Sequence, residues 1–128
     1  TWYGRVLVER VEGFASDVEW QRAFEEINRF EKDLSDSQTV VVKIWLSISK
    51  DEQYARFKER EKTPHKRFKI TSEDWRNREK WDEYLHAAAD MFERTNTDYA
   101  PWYIIANDDK YSARLEILRS ILKQLKAD

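Results

Sequence analysis

The chain has 128 residues, 38% of them charged and 14% aromatic, with a formal net charge of −2 and no cysteine. That length suits one domain with a real core, and the lack of Cys excludes disulfides and thiolate metal sites. No apolar run approaches the roughly 18 residues that span a bilayer and no signal peptide is visible, so a soluble protein in a reducing, cytoplasmic setting is expected.

The opening TWYGRVLVERVEGF carries no Met and is already patterned like an ordered segment, which suggests a piece of a longer protein. Val6, Leu7, Arg10 and Val11 read as helix, and Gly13 suits the left-handed residue that ends one. Ser16 to Leu34 predicts an amphipathic helix. Ser16 and Glu19 make a capping-box pattern, and Trp20, Phe24, Ile27, Phe30 and Leu34 recur at spacings of four and three. This aromatic stripe reads as core rather than as a base-stacking platform. After the turn SDSQ (35–38), Thr39 to Ile48 is rich in β-branched residues and apolar apart from Lys43 and Ser47. A strand covered on both faces has this pattern, as in a parallel sheet between helices. Lys43 reads as a strand-end or snorkelling lysine, with a ligand role as the alternative.

Ser49 and Glu52 repeat the capping-box pattern and open a helix through Tyr54 and Phe57. It runs into the window Arg56 to Lys69, RFKEREKTPHKRFK, which holds seven Lys or Arg against two Glu in an otherwise acidic chain. Pro64 marks the centre of that window as a loop. A local cationic excess of this kind suggests contact with a polyanion, while the plainer reading is a solvated charged turn. Arg56 and Arg60 are four apart and share a helix face, so their forked guanidiniums could grip successive phosphates. Glu59 and Glu61 could instead neutralise neighbouring cations. His65 beside Lys66 and Arg67 could join a phosphate site when protonated, or be merely exposed.

Thr71 to Arg94 predicts the longest helix, with Trp75 and Trp81 followed by an apolar face of Tyr84, Leu85, Ala88, Met91 and Phe92. Arg76, Arg78 and Lys80 extend the cationic surface, and Asp74, Glu79 and Asp82 partly neutralise it; His86 is assigned no chemistry. TNTDYAP (95–101) is a loop, and WYIIA (102–106) a second short strand leading into NDDK (107–110). The last helix carries Leu115, Leu118, Leu122 and Leu125 at heptad-like spacing, a basis for self-association. The alternation of helices and strands predicts an α/β fold with a parallel sheet. In such sheets ligands bind beyond the carboxyl ends of the strands, where SISKDE (47–52) and NDDK both fall. Asp108 and Asp109 could cap the final helix or help hold a metal or nucleotide.

Gly4 and Gly13 are the only glycines, so no glycine-rich phosphate loop exists in this chain. No nucleophile motif is present, and two distant His make no metal site. The residues alone give a polyanion-handling α/β domain with the reaction open. A nucleic-acid-binding module is the competing class, and the helical core spacing of the Trp residues counts against stacking platforms.

Six segments taken together add a resemblance: WYGRVLVERVEGF, EEINRFEKDL, VKIWLSISKDEQYARFKER, PHKRFKITSEDW, WDEYLHAAADMFERTNTDYAPWYIIANDDK and ARLEILRSIL. In this order, over essentially the whole chain, they resemble the type-2 polyphosphate kinase family. The WYGRVLVER form is most similar to its AMP-using, two-domain members, the polyphosphate:AMP phosphotransferases. The resemblance implies a P-loop kinase-like parallel sheet between helices, similar to thymidylate kinase, with residues 1–128 as the carboxy-terminal part of one catalytic domain and a lid at about 56–80. It implies phosphoryl transfer between inorganic polyphosphate and a nucleoside mono- or diphosphate, AMP to ADP or ADP to ATP and the reverse. Mg²⁺ is implied as cofactor, with ligands and the phosphate loop mostly upstream of Thr1, so these 128 residues alone are expected to be inactive. Arg5 is implied near the acceptor or transferred phosphate, although Arg5 and Arg10 could equally be surface salt-bridge partners. Arg56, Arg60, Lys66, Arg67 and Lys69 are implied along the polymer, and Glu9, Asp108 and Asp109 in the vicinity of nucleotide or metal. Phe68-Lys69 departs from the Trp-Lys common in the family's lid. Neither a membrane nor a nucleic acid is expected as a partner, and a homo-oligomer is left open as a possible assembly.

Overall fold

The computed structural model describes residues 1–63 and 72–127. The expectations placed on Pro64, His65, Lys66, Arg67, Phe68 and Lys69 lie outside the described residues. A 3₁₀ turn (Gly4–Val6) and the short helix α1 (Val8–Val11) lead into α2 (Asp17–Asp36) and strand β1 (Lys43–Ser47). Then follow α3 (Lys50–Lys62), α4 (Ser72–Glu79), α5 (Trp81–Thr95), β2 (Trp102–Ala106) and α6 (Lys110–Ala127). The two strands pair in parallel with Lys43 opposite Trp102 and Ser47 opposite Ala106, which gives the expected α/β layering.

Local sequence signals set the first helices. Gly13 has φ +78°, a conformation that side chains with a Cβ adopt at a cost, and it ends α1 as a left-handed residue. At the start of α2 the Ser16 Oγ accepts from the Glu19 N–H at 3.3 Å, and the Ser16 N–H donates to the Glu19 carboxylate at 3.1 Å. That reciprocal box satisfies two amides that the first helical turn leaves without partners.

Phe24 and Ile27 of α2 bury against Tyr3, Val6, Ala23 and Met91, and Leu7, Trp20, Trp45, Phe92 and Trp102 pack around them. The large rings meet edge to face: Trp45 on Phe92 with centroids 5.4 Å apart, Phe92 on Trp102 at 5.3 Å and Trp102 on Tyr3 at 4.9 Å. Full burial of one such side chain contributes about 1.5–3 kcal/mol, and edge-to-face pairing adds to it. Phe30, placed on the core stripe by its spacing, is 46% exposed.

Two expectations are corrected. The strand spans Lys43–Ser47 rather than Thr39 to Ile48; its partner cannot begin before Pro101, which has no N–H to give the ladder. The helix expected over Thr71 to Arg94 divides at Lys80, whose φ −96° and ψ 27° leave the helical region. The last helix turns its small and polar residues inward. Ala113, Ser120 and Gln124 are buried, while Leu115, Leu118, Leu122 and Leu125 are 45–60% exposed. Gln124 is held there by the Tyr103 hydroxyl, which donates to its side-chain oxygen at 2.7 Å. Among the described residues no helix is long and apolar enough to cross a membrane.

Candidate functional site

The carboxyl ends of β1 and β2 are tied together by the Asn107 N–H, which donates to the Ser47 carbonyl at 2.7 Å. Two helices start from this edge. Ser49 caps α3 by accepting from the Glu52 N–H at 3.1 Å, and its own N–H donates to the Asp108 carboxylate at 2.9 Å. The Glu52 carboxylate turns instead to Arg56, whose Nε donates to it at 3.0 Å. The Arg56 guanidinium also donates to the carbonyl of Asn107 and, at 3.5 Å, to that of Asp108. With only 18% of its side chain exposed, Arg56 is a strut joining α3 to the turn before α6. Asp109 caps α6, accepting from the Ser112 hydroxyl at 3.0 Å and the Tyr111 N–H at 3.0 Å. Those bonds, the Ser112 hydroxyl foremost, hold its carboxyl below the usual range.

Arg60 lies one turn beyond Arg56 and, among the described residues, engages no hydrogen-bond or ion-pair partner. Across from it α4 is clasped to α3 by Trp75, whose ring meets Phe57 edge to face at 4.9 Å. Arg78 donates to the Lys50 carbonyl at 2.6 Å and lies over the Tyr54 ring at 4.9 Å. Cationic side chains of α3 and α4 are thereby gathered near the start of α3, on the ligand-binding side of a parallel sheet.

Arg5 and Glu9 stand elsewhere. Together with Trp2, Glu26 and Phe30 they line a hollow of about 360 Å³. Arg5 is 3.6 Å from Glu9 and 3.8 Å from Glu19, with 41% of its side chain exposed. Such open ion pairs are weak and exchangeable. Arg10 is bound more firmly, 2.8 Å from Asp90 with its guanidinium 3.8 Å from the Trp20 ring centroid, and ties α1 to α5. Glu9, Asp108 and Asp109 therefore have separate partners. Among the described residues no group of three or more His, Cys, Asp or Glu converges as a metal site. These residues do not fit an Mg²⁺ ion.

A buried polar cluster escaped the sequence reading of α2. The Glu31 side chain is fully buried and meets the Lys43 ammonium at 3.0 Å. Tyr3 donates to the second Glu31 oxygen at 2.5 Å, and the Trp2 indole N–H donates to the same oxygen at 3.0 Å. A signal for it exists: Trp20, Phe24, Ile27, Glu31 and Leu34 keep a stricter alternation of four and three than the set that includes Phe30. The carboxylate stands at a core position and calls for a buried cation, which the lone Lys43 of the apolar strand supplies.

The Polyphosphate kinase 2 (PPK2) family pattern matches residues 1–128. The polyphosphate:AMP phosphotransferase of Acinetobacter johnsonii is 77% identical over 128 residues, covering 100% of this chain and 27% of that protein. The ADP-polyphosphate phosphotransferase of Pseudomonas aeruginosa is 39% identical over 125 residues, covering 98% of this chain and 41% of that protein. The crystal structure of Polyphosphate Kinase 2 from Arthrobacter aurescens TC1 superimposes with a TM-score of 0.92 at 38% identity, over 98% of this chain and 44% of that one. These structural neighbours are kinases with the P-loop kinase-like fold that the resemblance implied. The chain spans between about a quarter and half of the length of these relatives. The chain belongs to the polyphosphate kinase 2 family.

Proposed function

We propose that residues 1–128 are the carboxy-terminal part of a catalytic domain that transfers a phosphoryl group between inorganic polyphosphate and a nucleoside monophosphate or diphosphate. The observation that carries this reading is the family match over every residue of the chain. AMP is the favoured acceptor, because the 77% identical relative is named for AMP and the ADP-named relative is 39% identical. Transfer of this kind asks the protein for alignment and for neutralisation of the non-bridging oxygens. Here Arg60 is the open cation on α3, and in this reading it meets the polymer together with Lys66, Arg67 and Lys69 of the lid at about 56–80. Arg56 supports that surface from beneath. Arg5 can exchange its exposed partners Glu9 and Glu19 for the acceptor or transferred phosphate. The cofactor implied by the family resemblance is Mg²⁺. In this reading the enzyme works in the cytoplasm, where its nucleotide substrates are made, and the exposed leucines of α6 form a self-association surface that light scattering can test.

The experiment is formation of ADP from AMP by the complete enzyme, with polyphosphate as the only phosphoryl donor. Turnover that requires polyphosphate and prefers AMP over ADP supports the reading. Displacement of labelled polyphosphate by single-stranded DNA at equal concentration, with no turnover, replaces it with a general polyanion binder.

A further inference from the structure

Glu12 has no part in the roles assigned above, yet its surroundings are unusual. It is the residue that caps the carboxyl end of α1, just before Gly13, where the left-handed φ of +78° turns the chain away. The side chain is 4% exposed, and one oxygen accepts from the Arg76 guanidinium and from the Lys80 ammonium at 3.4 Å. The other oxygen is buried and, among the described residues, has no hydrogen-bond partner. Arg76 and Lys80 lie 64 and 68 residues further along the chain. Arg76 belongs to α4, and Lys80 is the residue at which α4 gives way to α5. Glu12 thus grips both sides of the break between two helices.

The exposures are uneven. The acid is enclosed, whereas the Arg76 side chain is 55% exposed and that of Lys80 33% exposed. Each cation meets Glu12 inward and keeps further N–H donors toward solvent, five being available on a guanidinium and three on an ammonium. Carboxylate and phosphate oxygens accept from the same donors in the same geometry. The unpartnered oxygen makes this clasp less than fully satisfied, since a buried acceptor without a donor is costly. Arg76 also sits two residues from Arg78 and one residue from Trp75, both of which join α4 to α3. Trp75 and Arg78 face α3 while Arg76 faces α1, so the cations that Glu12 holds lie on the other side of α4, and both fall within the proposed lid at about 56–80.

We propose that Glu12 is an internal competitor for Arg76 and Lys80, so that an inorganic polyphosphate chain binds against it and Glu12 limits the affinity for the polymer. This rests on the reading of the chain as part of a polyphosphate-using phosphotransferase. In the absence of polymer the carboxylate holds α4 in place through Arg76. When a phosphate takes those donors the tie to α1 loosens, and α4 remains attached through Trp75 and Arg78. Glu12 is then an affinity-setting residue that acts through the cations and not on the reacting atoms.

A merely structural clasp and a competitor predict opposite signs. Glu12→Gln keeps shape and an acceptor oxygen and removes the charge. In the complete enzyme it should tighten binding of inorganic polyphosphate of defined length by about two- to fivefold, as expected for loss of a partly open ion pair. The KM for AMP should not change. Glu12→Gln combined with Arg76→Gln should lose the gain. Unchanged or weaker polymer binding by Glu12→Gln at an unchanged melting temperature overturns the proposal. If Glu12→Gln unfolds, Glu12→Asp, which draws the carboxylate back from Arg76, is measured in its place; if both unfold, Glu12 is a structural clasp and the proposal is wrong. Wild-type enzyme that binds no polyphosphate overturns the functional reading itself, which the parallel wild-type titration reveals.

Discussion

The Lys43 ammonium lies 3.0 Å from the Glu31 carboxylate, in a pair whose side chains are 4% and 0% exposed. The Thr95 carbonyl accepts from the same ammonium at 2.6 Å, and the Tyr3 hydroxyl bridges the pair, 2.9 Å from Lys43 and 2.5 Å from Glu31. Burial pushes the Lys43 ammonium pKa down, against the hydrogen bond and charge of Glu31. Burial, then the hydrogen bond and charge of Glu31, push the Tyr3 phenol up. The cluster joins α2, the first residue of β1, the end of α5 and the Trp2-Tyr3 segment in one place. Removing one partner leaves an uncompensated buried charge, which costs about 3–5 kcal/mol. Lys43→Ala and Glu31→Ala should each lower the urea midpoint accordingly, and Lys43→Met with Glu31→Leu should recover much of the loss. A double variant as unstable as the sum of the singles would show that the pair itself is not the unit.

This cluster also marks how far the sequence could be read. The capping box at Ser16, the left-handed Gly13 and the parallel strand pair follow from local rules, because each depends on neighbours within a few residues or on a repeating pattern. Lys43 stands out in the sequence as a charge in an apolar strand, whereas Glu31 does not, because the stripe read through Phe30 leaves it off the core face. Their pairing needs the tertiary arrangement of α2 against β1. The break at Lys80 has no Pro or Gly to announce it. It arises where α4 is held by α3 and α1 while α5 follows the core, a competition between packing partners that propensity does not record. The leucines of α6 mark an apolar face in the sequence, but heptad spacing does not identify what covers it, and in the fold Ala113, Ser120 and Gln124 turn inward in their place. At the site, Arg56 and Arg60 looked equivalent by spacing. Only the position of the 107–109 turn separates a strut from an open cation.

Asp109 offers a clean separation of cap from ligand. Its carboxylate accepts from the Tyr111 N–H at 3.0 Å and the Ser112 N–H at 3.4 Å, as an N-cap of α6. Asn caps as well as Asp, whereas Ala does not, at a cost of about 1 kcal/mol. Asp109→Asn should leave both the melting temperature and polyphosphate-dependent turnover near wild type, and Asp109→Ala should lower the melting temperature. If Asp109→Asn keeps its stability but loses turnover, the carboxylate has a charge-dependent role with metal or nucleotide.

Acid sensitivity follows from Glu19 and Glu12. The Ser16 N–H and hydroxyl hold the Glu19 carboxyl below its ordinary value of 4.5 despite partial desolvation. For Glu12, burial acts upward, but the hydrogen bonds and charges of Arg76 and Lys80 outweigh it and the net shift is downward. A carboxyl whose folded pKa is depressed stabilises the fold fully above the unfolded value, and that contribution is lost as pH falls through the folded value. Thermal stability should therefore decline on acidification below about pH 4.5, the ordinary value for both groups. Glu19→Gln should be less stable than wild type at pH 7 and should show a shallower decline below pH 4.5. An equally steep decline in Glu19→Gln would assign the acid sensitivity to other carboxylates.

Arg56 and Arg60 provide the sharpest division within the proposed lid. Arg56 has 18% of its side chain exposed and bonds to Glu52, Asn107 and Asp108; Arg60 has no partner among the described residues. Loss of a hydrogen bond to a charged group costs about 1.5–3 kcal/mol, so the same substitution should act on different quantities at the two positions. Arg56→Ala removes the brace between α3 and the turn before α6, and should lower the melting temperature and reduce kcat. Arg60→Ala leaves every described contact in place and should raise the KM for polyphosphate roughly tenfold, with little change in the KM for AMP or in stability. A polymer offers alternative phosphates to neighbouring cations, which keeps the effect toward the lower end of that range. The two variants are compared by melting temperature and by separate titrations of polyphosphate and AMP at fixed salt, because the polymer contact weakens as salt rises. If Arg60→Ala takes polyphosphate as well as wild type does, the open cation on α3 is not a polymer contact and the placement of the lid on this helix is wrong.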